Sequence, residues 1–105
     1  MVQTKAPSGD RQPDVEWLDS QYNVRSYLPD HQKIFARWAE QSRYARFDLD
    51  GYWNLFFGES EAETVDVVPG KAGKPLLVFI HGGYWRSLDK YDFTFIAKPF
   101  VQRGY

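Results

Sequence analysis

The sequence predicts an α/β fold, and three observations carry that reading. The run Leu76-Leu77-Val78-Phe79-Ile80 is apolar on both faces, the pattern of a strand covered on two sides in a parallel sheet flanked by helices. An amphipathic helix precedes it, because Ile34, Phe35, Trp38, Ser42 and Ala45 recur at three- and four-residue spacing. A second helical stretch follows it after a glycine-rich loop, giving the order helix, strand, strand, strand, helix. The chain holds 105 residues, room for one small domain, and it is expected to carry about three strands and two main helices of a larger sheet.

The elements follow in chain order. Residues 1 to 16 are polar, with Pro7, Gly9 and Pro13, and read as a disordered or draped tail. Asp14 to Leu28 holds Trp17, Tyr22 and Tyr27 without a clean period and reads as an irregular segment with one helical turn. Pro29-Asp30 starts the first main helix, with Asp30 as N-cap. Lys33, Arg37, Glu40 and Arg43 lie mostly off its apolar stripe and form a solvated face. It is expected to end near Phe47. Trp53 to Phe57 is a short strand closed by Gly58, and the acidic stretch Glu59 to Glu63 is a turn. Thr64 to Val68 is the next strand, with Val65 and Val67 on one face. Pro69 to Pro75 is a turn-rich connector leading into the third strand, Leu76 to Ile80. Asp89 to Arg103 reads as the second main helix, with Phe93, Ile96, Ala97, Phe100 and Val101 inward. Pro99 is expected to kink or break it, and Gly104 to stop it as C′ residue.

Composition narrows the function classes. A net charge of −1 gives no electrostatic reason to expect nucleic acid or an anionic membrane as partner. With no Cys there is no disulfide, thiol nucleophile or thiolate metal site, and two distant His do not make a metal cluster. The N-terminus lacks the apolar core of a signal peptide, and Leu76 to Ile80 is too short to span a bilayer, so the expectation is a soluble cytoplasmic protein. The aromatic content of 18% demands a sizeable core or a partner surface.

The stretch with chemistry is His81-Gly82-Gly83-Tyr84-Trp85, at the end of the apolar strand. Open α/β sheets bind ligands just past the carboxyl ends of their strands. Glycines there let a substrate approach backbone N–H groups closely. Such N–H groups, aimed at a carbonyl oxygen that gains charge during acyl transfer, are typically worth about 10²–10³ in rate each. No Lys-Ser/Thr follows the glycines, which argues against a phosphate loop. The competing structural account is a tight turn after a core strand.

These residues resemble the HGGxW motif of α/β-hydrolase esterases and formamidases. Tyr22-Asn23-Val24-Arg25, Pro29-Asp30-His31, Ile34 to Trp38, and Phe79 to Lys90 are likewise similar to the N-terminal part of bacterial α/β hydrolases of the arylformamidase type. The resemblance covers about residues 17 to 105 and implies the N-terminal portion of an α/β-hydrolase domain. It implies that the N–H groups of Gly83 and Tyr84, with Gly82 beside them, form part of an oxyanion hole. Tyr84 and Trp85 would line the substrate pocket, and His81 would orient the loop rather than act as base. The family's nucleophile sits in a Gly-x-Ser-x-Gly elbow, with an acid and a His further on. Ser8, Ser20, Ser26, Ser42, Ser60 and Ser87 all lack that context. Ser87 lies closest to the loop, but no base adjoins it in sequence.

The function this implies is the N-terminal fragment of a serine hydrolase acting on small carboxylic esters or N-formyl amides, with no metal or organic cofactor. The 105 residues alone are expected to be inactive. The alternative is a non-catalytic truncated product or small-molecule binding module. His31 reads as an ordinary helix-start histidine, and Tyr22, Asn23 and Arg25 as an N-terminal segment pinned to the body. Oligomeric state is open.

Overall fold

A computed structural model describes residues 9, 12–83 and 87–105. Tyr84 and Trp85, expected to line the pocket, lie outside the described residues, as does most of the expected tail. The chain forms two compact units, Met1–Ile34 and Phe35–Tyr105, whose boundary falls within a helix.

In the first unit, helix α1 spans Val15–Tyr22. The Asp14 carboxylate accepts the Trp17 N–H at 2.7 Å, and the Ser20 hydroxyl donates to the Trp17 carbonyl at 2.6 Å. Capping and back-bonding supply the order that the irregular spacing of apolar residues did not suggest. A 3-10 turn, Val24–Tyr27, follows, and the Tyr27 hydroxyl returns to the Ser20 carbonyl.

Helix α2 runs His31–Asp48, close to the bounds expected from its stripe. Its first intrahelical bond closes on the Asp30 carbonyl, from Ile34 at 3.1 Å. Ser42 and Ala45 are the fully covered positions of the face. Phe35 and Trp38 begin an aromatic row in the second unit: Trp38 meets Phe93 at 5.6 Å and Phe95 at 6.1 Å between ring centroids. A buried hydroxyl adds direction, since Ser42 Oγ accepts the Phe95 N–H at 3.1 Å.

Strands β1, Tyr52–Phe56, and β2, Thr64–Val67, pair antiparallel. Tyr52 faces Val67 and Leu55 faces Val65, so β1 carries one extra residue, a β-bulge. Asn54 sits there with φ +57, a left-handed conformation that asparagine tolerates better than most residues. Its N–H leaves the ladder and binds Asp66 Oδ1 at 2.8 Å. The hairpin loop closes through Phe57 N–H to the Glu63 carbonyl at 2.9 Å and Ser60 N–H to Glu63 Oε2 at 2.8 Å.

The third strand does not form. Among the described residues the sheet has two strands, and Leu76 to Ile80 is unpaired, with Leu76 86% and Ile80 85% exposed. A strand is defined by a partner ladder, and the only ladder among the described residues joins β1 to β2. The apolar pattern was read as cover on both faces, and that cover is absent among the described residues.

The second main helix is also corrected, into three shorter pieces. Two 3-10 turns, Lys90–Asp92 and Thr94–Ile96, lead into helix α3, Ala97–Gln102. Pro99 accounts for the break upstream of itself. In a continuous helix its ring would meet the Phe95 carbonyl, which it cannot bond. In α3 it instead falls in the first turn, where N–H groups have no intrahelical partner. Gly104 ends α3 at φ +90 as expected. Gly104 N–H reaches the Val101 carbonyl at 2.9 Å and Tyr105 N–H the Phe100 carbonyl at 3.0 Å, the paired bonds of a Schellman motif. Phe100 and Tyr105 add its apolar contact, edge to face at 6.1 Å. The connector docks here through Lys71 N–H to the Gly104 carbonyl at 2.8 Å. Gly70 is required at this approach, since a Cβ would lie 2.2 Å from the Tyr105 carbonyl oxygen.

Candidate functional site: the Gly82–Gly83 loop

The exposed run 76–80 delivers His81 to the wall of a cavity of about 480 Å³, lined among others by Trp53, Phe57, Val65, Phe79, His81 and Phe93, and the two glycines follow His81 in the chain. Its size lies in the range of small-molecule pockets, and its walls are mainly apolar.

The entry to the loop is held by aromatic stacking. The His81 ring lies 5.7 Å from Phe93 at an interplanar angle of 13°, and Phe79 packs on Phe93 at the same 5.7 Å, tilted 46°. His81 Nδ1 is 2.7 Å from the Gly82 carbonyl oxygen. A carbonyl only accepts, so Nδ1 carries the proton and donates.

The two glycines differ. Nothing lies within 4 Å of a Cβ built on Gly82, so Gly82 is open to an incoming group. Gly83 has φ +125, and a Cβ there would stand 1.8 Å from the Ser87 carbonyl oxygen. Both the dihedral and the close approach demand glycine. The Gly83 carbonyl accepts from the Ser87 N–H at 3.2 Å and the Ser87 hydroxyl at 3.4 Å. Ser87 thus closes a turn, with its hydroxyl directed at a backbone carbonyl.

Sequence reasoning missed a polar cluster just beyond the loop. Lys90 Nζ is 2.8 Å from Asp66 Oδ1 and 2.5 Å from Asn54 Oδ1, and the Tyr91 hydroxyl also donates to Asn54 Oδ1. Arg46 on α2 donates to the Tyr91 carbonyl at 2.7 Å and to Thr94 Oγ1 at 3.1 Å. The signal was available: Asn54 and Asp66 are poor strand formers placed inside otherwise apolar strands.

Among the described residues no group of three or more His, Cys, Asp or Glu could hold a metal ion, and no helix is long and apolar enough to cross a membrane.

Known proteins share part of this chain. It is 43% identical over 51 residues to a kynurenine formamidase of Danio rerio, covering 46% of this chain and 17% of that protein. It is 43% identical over 54 residues to a kynurenine formamidase of Salmo salar, covering 49% and 18% respectively. A Drosophila melanogaster kynurenine formamidase is 52% identical over 31 residues, covering 30% and 10%. The matched stretches span less than a fifth of these relatives. No family model matches the chain, and no solved structure matches it.

Proposed function

We propose that this chain is the N-terminal portion of a formamidase-like serine hydrolase of the α/β-hydrolase type, and that it supplies the oxyanion-hole loop. The observation that carries this reading is the 43–52% identity to kynurenine formamidases over partial stretches. The left-handed Gly83, two residues after the cavity-lining His81, supports it. The substrate class is an N-formyl arylamine or a small carboxylic ester.

In the mechanism that follows, a serine outside these 105 residues attacks the carbonyl carbon. The carbonyl π pair moves onto oxygen, and the N–H groups of Gly83 and Tyr84, with Gly82 beside them, receive that charge. A His–Asp pair, also outside these residues, takes the serine proton and returns it to the leaving amine or alcohol. Water then releases the acyl group from the serine. His81 orients the loop through its bond to the Gly82 carbonyl and its stack on Phe93, and Trp85 and Tyr84 border the substrate. No metal or organic cofactor enters these steps, and the polypeptide is read as cytoplasmic. A second reading, a small-molecule binding module without turnover, draws on the same cavity.

The test uses Gly83→Ala in a polypeptide that carries this segment followed by a Gly-x-Ser-x-Gly elbow. The substitution leaves substrate contacts of the cavity in place but displaces the oxyanion donors. The expected result is a fall in kcat for an arylformamide of about a hundredfold, with KM changed far less. An unchanged kcat overturns the oxyanion assignment. Turnover of p-nitrophenyl acetate by the 105 residues alone, abolished by Ser87→Ala, would move the nucleophile into this chain. Saturable binding of arylformamides with no turnover by the longer polypeptide would support the binding module.

A further inference from the structure

We propose that Lys90 and Tyr91 are positioning residues for the Gly82–Gly83 loop, latching its far end to the β1 bulge. The inference rests on the oxyanion-hole reading and goes past it, to what holds that loop in place.

Two local features mark the chain from Ser87 onward. The Ser87 N–H bonds to the Gly83 carbonyl at 3.2 Å. Leu88 has φ +69. A left-handed leucine persists only where its surroundings over-determine it. The residues that follow do this. The Asp89 carboxylate accepts the Tyr91 N–H at 3.0 Å, while the Asp89 N–H donates to Asp92 Oδ2 at 2.8 Å. This capping box fixes the start of the 3-10 turn. Lys90 and Tyr91 then reach across to the hairpin.

The hairpin is shaped to receive them. The bulge turns Asn54 into the left-handed region, and Asp66 holds its N–H. The Asn54 Oδ1 and Asp66 Oδ1 together meet Lys90 Nζ, whose several donors can serve both. This ion pair differs from the other contacts of its kind. The Lys90 and Asp66 side chains are 22% and 14% exposed, against 46% and 50% for Lys98 and Asp48. A partly buried, hydrogen-bonded pair fixes geometry where an exposed pair contributes little. Arg46 holds the same turn from α2, through the Tyr91 carbonyl and with its guanidinium 4.8 Å from the Tyr91 ring centroid. Phe93, next to this turn, stacks on Phe79 and His81 at the loop's entry. One short segment therefore clamps the loop at both ends, and a change at Lys90 is transmitted to the glycines.

The experiment is amide NMR on the longer polypeptide of the Gly83→Ala test, labelled with ¹⁵N-glycine so that few resonances appear. Lys90→Met is expected to move the Gly82 and Gly83 amide resonances, and Lys90→Arg to restore them in large part. Lys98→Met, which breaks the exposed pair, should leave them in place. Should Lys90→Met lose its dispersed spectrum, Asn54→Gly removes the acceptor, keeps the left-handed backbone, and should move the same two resonances. Glycine resonances unmoved by Lys90→Met or by Asn54→Gly overturn the proposal. The readout needs no catalysis, so it stands or falls independently of the kcat test on Gly83→Ala.

Discussion

Glu63 shows how a single side chain can organise a loop. Its carboxylate accepts the Ser60 N–H at 2.8 Å while its backbone pairs with Phe57 and Ser60. Those hydrogen bonds, led by the one from the Ser60 backbone, hold its pKa below the ordinary 4.5. A depressed carboxylate contributes stability that is present above its unfolded pKa and lost as pH falls through the folded one. The expected result is a Ser60 amide resonance that moves on acidification with a midpoint below 4.5, and that stops responding in Glu63→Gln. A midpoint at or above the ordinary value would show that the hydrogen bond does not form in solution. At this same scale the two glycines separate. The sequence motif sets Gly82 and Gly83 side by side after His81, which lines the cavity. It could not distinguish them, because the need for glycine at Gly83 comes from the Ser87 carbonyl folding back on it, a contact with no sequence signature. Asn54 and Asp66 stand out in the sequence as poor strand formers, but their shared partner does not, since Lys90 lies far along the chain.

At the scale of elements, local chemistry was legible and pairing was not. Helix α2 and its inward positions followed from periodicity, and the end of α3 followed from Gly104. The Asp89 to Arg103 helix failed because its apolar spacing fits both a continuous helix and a series of turns, and Pro99 decides between them through the carbonyl of Phe95. The C-terminal stop carries a direct prediction. Gly104 has φ +90 and sits against the aliphatic stem of Lys71, with a Cβ position 3.3 Å from Lys71 Cδ. Gly104→Ala forces a left-handed alanine and crowds that stem, at a cost of about 1 kcal/mol or more. Chemical denaturation should show a lower midpoint with an unchanged slope. The Lys71 and Tyr105 amides should lose protection in hydrogen exchange, because their bonds to Gly104 and Phe100 depend on the motif. An unshifted midpoint would mean that the Schellman bonds contribute nothing to folding.

At the scale of the whole molecule, the governing fact is how little apolar surface is covered. Among the described residues Ala45 is the only buried hydrophobic side chain, while Phe56, Phe57, Leu76, Val78 and Ile80 are between 65% and 86% exposed. A small domain is marginal even when it buries most of its apolar side chains. The run 76–80 is apolar at every position, a pattern that calls for cover on two faces. What they lack is a partner. Their backbone N–H and C=O groups are outside any ladder among the described residues, and the run is β-branched, aromatic and uncharged, the composition that drives edge-to-edge pairing. The isolated chain should therefore self-associate, with sedimentation showing a weight-average mass that rises with concentration. Val78→Lys places a charge in the middle of the run, at a side chain 70% exposed. It should shift the population toward monomer without lowering stability. A concentration-independent monomer for the unaltered chain, with a cooperative thermal transition, would show that the run is covered in solution by a rearrangement of the chain's own elements.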